Sequence, residues 1–253
     1  MLRKTTLLIL TAVGLAAALA ARARAAESGE YERRFADAAA VLGEFTTDDE
    51  KSIPADLLAR AQGIAVIPNV IRGGFILGGR RGRGVLAVRL ENGQWSNPAL
   101  ITLTGGSIGW QFGAESADLV LVFANQRSVR HIADGKFTLG GDASAVAGPL
   151  GRRTTAALTG KAEVYAYFRS KGLFAGAAFE GARLDVDQQG GEAYYAGDPH
   201  ARPLGPQEAG TPAGARRFLL ALEKAASVPA PGARPASDEP AEGAVTFPLD
   251  RGQ

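Results

Sequence analysis

The residues whose types and spacing best suit covalent chemistry are Gly105-Gly106-Ser107-Ile108-Gly109, which match the G-x-S-x-G pattern of a nucleophilic serine. The pattern activates a serine only at a turn from a strand into a helix, with a histidine as the base. The residues that follow, WQFGAES, do not have a helical pattern, and the 2 histidines, His131 and His200, stand at positions typical of a solvated surface. A serine hydrolase is therefore only the minor alternative among the functions that the sequence allows.

The sequence has no spacing typical of a metal or nucleotide site. Asp185-x-Asp187 lacks the glutamate that a calcium loop carries at its twelfth position, and 2 isolated histidines without any cysteine give neither a zinc pattern nor a disulfide. Gly79-x-x-Gly82-x-Gly84 differs from G-x-G-x-x-G and precedes VLAVRL, which is typical of a strand. A dinucleotide site needs a helix at that point. We expect no metal, no cofactor and no catalytic residue.

Basic residues next to glycines are suited to a second kind of chemistry, which is contact with an anion. Guanidinium groups fit bidentate contact with phosphate, and glycine lets backbone N–H groups approach an anion closely. The candidates are Arg72, Arg80, Arg81, Arg83, Arg152, Arg153 and Lys171. The first four are expected in one Arg/Gly-rich loop. The alternative is that arginines on turns only keep the surface soluble, and composition alone favours it.

The first 25 residues have the pattern of a secretory signal peptide. Arg3 and Lys4 precede an apolar stretch that is shorter than the about 20 residues of a bilayer span, and small residues follow at 21–25. Removal of residues 1–25 takes away four basic residues and no acidic one, which leaves 24 basic and 26 acidic residues. We therefore expect an exported protein, periplasmic or extracellular, that binds no nucleic acid.

Residues 29–46 are predicted to be helical because apolar residues recur at three- and four-residue steps. These apolar residues are Tyr31, Phe35, Ala38, Ala39, Leu42 and Phe45. Such a face packs on the protein's own sheet or docks on a membrane. The mixed charge of the polar side favours packing, because interfacial helices are usually rich in lysine and arginine. Short helices are predicted near Ser52 and after Asn125, and a last helix at about 213–226.

The middle of the chain is predicted to form strands because of its short apolar runs, in keeping with the 33 glycines of the whole chain. GVLAVRLENGQWSNPALITL predicts a hairpin around Asn92-Gly93 with a type I′ turn, and KAEVYAYFRSKGLFAGAAFEGARL predicts another near Ser170-Lys171-Gly172. We predict an α+β fold over residues 28–226, mainly an antiparallel β-sheet or barrel-like sheet with N-terminal and C-terminal helices packed on it. Residues 227–253 are rich in proline and alanine and are predicted to be a flexible tail.

Four stretches of the sequence resemble a known family. They are GIAVIPNVIRGGFILGGRRGRGVL, LTGGSIGWQFGAESADLVLVF, KFTLGGDASAVAGPLGRR and FRSKGLFAGAAFEGARL. In this order they resemble the SYLF domain, also called the Ysc84-type actin-binding domain, over about residues 30–226. The resemblance implies a non-catalytic domain that binds acidic phospholipid, and some members of the family bind and bundle actin. Bacterial members with a signal sequence followed by this domain are generally described as lipid-binding.

The resemblance favours anionic phospholipid as the partner of the arginines. Arg80, Arg81 and Arg83 are then expected to face phosphate headgroups, with the other four basic candidates as further contacts. Each basic residue near an anionic surface contributes about 1 kcal/mol, which suits a peripheral, salt-sensitive association. Tyr31, Phe35, Leu42 and Phe45 would insert into the membrane if the first helix undocked. The alternative is an envelope scaffold or a protein-interaction module of the actin-binding type.

Overall fold

The computed structural model describes residues 2–47, 52–73, 77–108, 115–133, 137–139, 141–142, 145–148, 162–170, 173–175, 181–207 and 210–227. The helices in chain order are α1 (Leu2–Thr47), α2 (Ala55–Arg60), α3 (Gln126–Ala133), α4 (Gln188–Tyr195) and α5 (Ala213–Ser227). The strands are β1 (Gly63–Gly73), β2 (Leu77–Val88), β3 (Ala99–Ile108), β4 (Glu115–Phe123), β5 (Phe137–Thr138), β6 (Ala145–Ala147), β7 (Val164–Ser170), β8 (Leu173–Ala175) and β9 (Arg183–Val186).

Within the described ranges, the nine strands join one sheet in the order β5-β9-β3-β2-β1-β4-β7-β6, with β8 paired to β7. Every pairing is antiparallel except that of β6 with β7. The predicted α+β fold, mainly antiparallel with helices at both ends of the domain packed on the sheet, is confirmed.

The sheet has a hydrophobic cluster on each side. One cluster lies between the sheet and α1, α2, α4 and α5, and we call this side the helix face. The other cluster joins the opposite side of the sheet to α3 and to Phe137 and Leu139, and we call it the α3 face. Because side chains alternate along a strand, Val85 and Ala87 lie on the helix face while Leu86 and Val88 lie on the α3 face.

The first helix buries the apolar stripe that the sequence predicts. Phe35, Leu42 and Phe45 have no exposed surface, and Tyr31 packs at the edge of the same cluster. The expectation that this stripe packs on the protein's own sheet is confirmed. The helix also begins earlier than residue 29, because α1 runs without interruption from Leu2.

The β2–β3 hairpin is confirmed, but its predicted turn type is wrong. The N–H of Gly93 donates to the carbonyl of Leu90 (2.9 Å), the N–H of Leu90 donates to the carbonyl of Gln94 (2.8 Å), and Gly93 has a φ of 79°. A type I′ turn also needs a positive φ at Asn92, which is not among the described non-glycine residues with positive φ. The connection is a three-residue loop with a glycine bulge, in which only Gly93 needs the left-handed conformation.

The Arg/Gly-rich segment is not a loop, and this prediction is wrong. Arg72 lies in β1, and Arg80, Arg81 and Arg83 lie in β2, which pairs with β1 and β3. The glycines allow close contact within the sheet. A Cβ on Gly84 would lie against the carbonyl oxygen of Val66 and 2.9 Å from Cα of Ile67.

The helix α4 is not predicted from the sequence, in which Asp185-x-Asp187 is considered only as an incomplete calcium loop. Asp187 is the N-cap of α4, and its side chain accepts a hydrogen bond from the N–H of Gly190 (2.9 Å). Gly190 and Gly191 made a helix improbable from propensity. Gly191 instead packs against Pro203, where a Cβ would lie 2.6 Å from the proline ring.

The remaining local predictions have different outcomes. Asn125 caps α3, because its Oδ1 accepts hydrogen bonds from the N–H and hydroxyl of Ser128 (both 2.9 Å), and α5 is confirmed. The β7–β8 hairpin is confirmed by the pairing of Ser170 with Leu173. The predicted tail lies outside the described residues after Ser227, and the signal peptide predicted over 1–25 stays a prediction.

In the described part of the chain, no helix is both long enough and apolar enough to span a bilayer.

Candidate interaction surface

Strand alternation divides the predicted arginine cluster between the two sides of the sheet. Arg81 and Arg83 share the helix face with Val85, whereas Arg80 shares the α3 face with Leu86. Arg80 is half-buried, and its Cγ would make an ordinary contact, at 3.5 Å, with a Cβ on Gly105. Of the basic candidates whose side chains the structure describes, Arg81 and Arg83 therefore share one exposed surface.

The exposed surface also contains an apolar side chain that the sequence analysis missed. Ile71 of β1 is the direct cross-strand partner of Arg81 in β2 and of Ser116 in β4, and 58% of its surface is exposed. A register shift between Val66 and Ile71 places Ile71 on the helix face. We call Ile71, Arg81 and Arg83 the β1–β2 surface.

A groove adjoins this surface where α1 approaches the bulge of β1. It has a volume of 270 Å³ and is lined by Glu30, Arg33, Arg34, Asp37, Pro68, Asn69 and Arg83, and we call it the α1 groove. One oxygen of Glu30 accepts hydrogen bonds from Arg34 (3.0 Å) and from Arg83 (2.8 Å). Arg83 thus belongs to both the groove and the β1–β2 surface.

The wall of the groove at Asn69 is fixed by a polar network. Asn69 has a φ of 50°, and its N–H donates to Oδ1 of Asp118 (3.1 Å). Asp118 also accepts from Arg169 (3.0 Å), which forms a second ion pair with Glu44 of α1. Burial alone lowers the pKa of Arg169, but the hydrogen bonds to Asp118 and Glu44 raise it by more, so the guanidinium stays charged.

A second groove, of 420 Å³, lies between the β2–β3 hairpin and the end of α5, and Arg89, Trp95, Gln207 and Glu223 are among its lining residues. The guanidinium of Arg89 lies 4.2 Å from the centre of the Trp95 ring and donates to the carbonyls of Ala59 and Gly93. Burial lowers the pKa of Arg89. These contacts tie the hairpin to the end of α2, so Arg89 has a structural role.

The other predicted site residues are not brought to the interaction surface. Arg152, Arg153 and the turn residue Lys171 lie outside the described residues. The side chain of Arg72 also lies outside them, although its Cα is paired with that of Arg80. The four proposed membrane-inserting residues of α1 belong to or pack against the helix-face cluster, and their insertion stays a prediction that requires α1 to leave the sheet.

The serine motif does not lie on a strand-to-helix corner over its described residues. Ser107 is inside β3, where it pairs with Gly78 of β2, and Gly109 lies outside the described residues. Among the residues that the structure describes, no three side chains of the metal-ligating types lie close enough together to hold an ion. An antiparallel strand does not provide the sharp corner that exposes a nucleophilic serine.

These features define a sheet domain whose outer surface combines arginines, acidic groups and an exposed isoleucine. Residues 104–225 of the chain match the model of the Ysc84 family, which is described as "Las17-binding protein actin regulator". The resemblance seen in the sequence is therefore confirmed.

Eukaryotic relatives support the same assignment. The SH3 domain-containing YSC84-like protein 1 of Xenopus laevis is 40% identical over 169 residues, which are 64% of this chain and 50% of the relative. LAS seventeen-binding protein 3 of Saccharomyces cerevisiae is 38% identical over 168 residues, 62% of this chain and 36% of the relative. Protein YSC84 of the same yeast is 39% identical over 151 residues, 58% of this chain and 32% of the relative. The chain spans half or less of the length of these relatives.

Proposed function

We propose that this chain is a non-catalytic protein-interaction module that binds an actin-like partner through the β1–β2 surface. The observation that carries the proposal is the 58% exposure of Ile71 directly beside Arg81 on a strand with partners on both sides. Apolar and arginine side chains at the centre of a patch are typical of protein interfaces. The description of the family as an actin regulator and the names of the relatives support a protein partner.

The surface is preorganised for binding. β2 pairs continuously with β3, β1 pairs with β4 on both sides of the bulge, and Asp118 fixes the bulge that places Ile71 outward. A rigid surface loses little conformational entropy when a partner docks. Catalysis is not needed for this function, and the described residues place Ser107 within a strand rather than at a nucleophile corner.

Cosedimentation with actin filaments tests the proposal. We expect the full chain to pellet with filaments and Ile71→Ser or Arg81→Ala to weaken binding about fivefold or more, since removal of a central contact costs about 1–2 kcal/mol. Leu220→Ser is the matched control, because Leu220 is another exposed apolar side chain (67%) but lies on α5. Absence of wild-type cosedimentation, or equal loss in Leu220→Ser, would overturn the proposal.

A second candidate is peripheral binding to anionic phospholipid, which the exposure of Arg81 and Arg83 favours. We expect flotation with phosphatidylglycerol or cardiolipin vesicles that falls at high salt and is absent with phosphatidylcholine. Because Arg80 lies on the α3 face, we expect Arg81→Ala and Arg83→Ala together to reduce flotation as much as the triple substitution Arg80/Arg81/Arg83→Ala does. Flotation that is equal on charged and neutral vesicles would contradict this candidate.

Export to the periplasm or the extracellular space is part of the proposal and depends on the signal pattern at 1–25. Cell fractionation followed by N-terminal sequencing of the purified protein tests it. A mature N-terminus near Ala26 in the exported fraction is the expected result, and an intact Met1 in the cytoplasmic fraction would contradict it.

A further inference from the structure

The α1 groove contains a buried guanidinium, that of Arg34, with one nitrogen that has no acceptor among the described residues. The Arg34 side chain is 9% exposed, and its Nη2 donates to Glu30 (3.0 Å). Its Nη1 is buried and has no hydrogen-bond partner within the described part of the chain. A buried donor without a partner destabilises the protein, and more so when it is charged. The unmade bond therefore marks a place where an acceptor would stabilise the protein.

The charges around Arg34 favour an anion as that acceptor. Three arginines line the groove and two carboxylates oppose them, and the single Oε1 of Glu30 is shared by Arg34 and Arg83. The Nε of Arg33 donates only to the backbone carbonyl of Gly29 (3.3 Å) among the hydrogen bonds of the described residues. The groove can therefore take up negative charge without displacing an existing ion pair of Arg33.

The shape of the groove and its surroundings identify the kind of anion. Its 270 Å³ is room for one side chain rather than for an extended segment. It adjoins the β1–β2 surface through Arg83, so a protein docked on Ile71 would project side chains toward it. The planar fork of a guanidinium matches a carboxylate in a bidentate arrangement.

We propose that the α1 groove binds the carboxylate of an acidic side chain on the protein partner, with Arg34 as the buried anchor and Arg33 and Arg83 as the outer contacts. This inference rests on the proposed protein-interaction function and names the chemistry of its partner. Asp37 limits the affinity, because its carboxylate lines the same groove and repels an incoming anion.

Binding of a fluorescent hexaglutamate peptide to the full chain tests the inference, with hexaglutamine as the neutral peptide. We expect Arg33→Gln to weaken hexaglutamate binding about two- to fivefold and Asp37→Asn to strengthen it by a similar factor, the size of an exposed charge contact. Arg34→Gln should weaken it further, and its circular dichroism reports whether the fold is kept. Arg217→Gln, on the exposed side of α5, is the matched control and should leave binding unchanged.

Several outcomes would overturn the inference. The first is equal binding of the two peptides, and the second is an equal effect of Arg33→Gln and Arg217→Gln on peptide binding. The third is that the groove substitutions change binding to phosphatidylglycerol vesicles but not to the peptide, which would identify a lipid headgroup as the occupant. Actin cosedimentation separates this failure from that of the proposed function. If Ile71→Ser weakens filament binding and Arg33→Gln does not, the proposed function is supported and the inferred carboxylate site in the α1 groove is rejected.

Discussion

At the scale of single residues, Arg169 shows how one buried cation holds separate elements together. Its guanidinium contacts Glu44 of α1 and Asp118 of β4, and it lies 5.1 Å from the centre of the Phe45 ring. Only 16% of the side chain is exposed. Because Asp118 also holds the N–H of Asn69, Arg169 connects the end of α1 to the bulge that shapes the α1 groove.

We predict that Arg169→Met lowers the free energy of unfolding by about 2 kcal/mol, because Asp118 and Glu44 lose their charge-assisted hydrogen bonds. Urea unfolding followed by circular dichroism measures the change. Arg60→Met is the control: the Arg60 side chain is 65% exposed and pairs with Asp56 one helical turn away, so we expect about 0.5 kcal/mol or less. Equal effects of the two substitutions would show that the network does not stabilise the fold.

The contribution of single residues to the site could be predicted from the sequence only in part. Arg81 and Arg83 were identified because arginines are recognisable anion ligands, and their spacing of two places them on one side of a strand. The prediction of a loop, however, leaves no role for this alternation, and it therefore places Arg80 together with Arg81 and Arg83. The exposure of Ile71 was not predicted, because it depends on a register shift for which the sequence has no local pattern.

At the scale of elements, the close pairing of β1 with β2 depends on glycines of β2. A Cβ on Gly84 would meet the backbone oxygen of Val66 and lie 2.8 Å from Cγ1 of Ile67, and backbone atoms cannot move aside without breaking the ladder. We predict that Gly84→Ala destabilises the protein by about 3 kcal/mol or more, measured by thermal unfolding.

Gly79→Ala is the matched control in the same strand. The nearest atom to a Cβ at Gly79 is the carbonyl oxygen of Gly105 at 4.0 Å, which is an ordinary contact. We expect a change within about 0.5 kcal/mol there. A Gly84→Ala protein as stable as Gly79→Ala would show that the strands have room to separate at this point.

Most elements were predictable because their signals are local, and the errors have identifiable causes. Three- and four-residue periodicity marked the stripe of α1, and Asn125 marked the start of α3. The turn at Gly93 was assigned the wrong type because Asn-Gly also occurs in three-residue loops. The strand residues Arg72 and Arg80–Arg83 are predicted to lie in a loop because clustered glycines are also typical of turns, whereas here a neighbouring backbone requires the small size of Gly84.

At the scale of the whole molecule, Tyr194 joins three helices into the layer that covers the sheet. Its hydroxyl donates to Glu32 of α1 (2.8 Å) and accepts from the N–H of Ala215 in α5 (3.2 Å), while its ring stacks on Phe35 at 4.8 Å. The sequence contained no signal for this junction, because it depends on residues more than 150 positions apart and on the unpredicted helix α4. Contacts between helices that are distant in sequence depend on packing rather than on local propensity.

The buried tyrosines make the stability of the whole domain sensitive to high pH. Burial raises the pKa of Tyr167, Tyr194 and Tyr195 above the ordinary value of 10.0, and for Tyr194 the hydrogen bond to Glu32 raises it further. The folded chain therefore keeps three hydroxyl protons at a pH at which the unfolded chain releases them. Their contribution to stability is complete below about pH 10 and is lost as the pH rises toward the raised values.

We predict that the free energy of unfolding falls by about 4 kcal/mol per pH unit above about pH 10, because the unfolded chain then binds three fewer protons. Urea unfolding at several pH values measures the slope, and tyrosinate absorbance should rise together with the loss of native circular dichroism. Tyr195→Phe removes one of the three hydroxyls, so its slope should decrease to about 3 kcal/mol per pH unit. Full tyrosine ionisation near pH 10 in a protein that is still folded would contradict the burial of these hydroxyls.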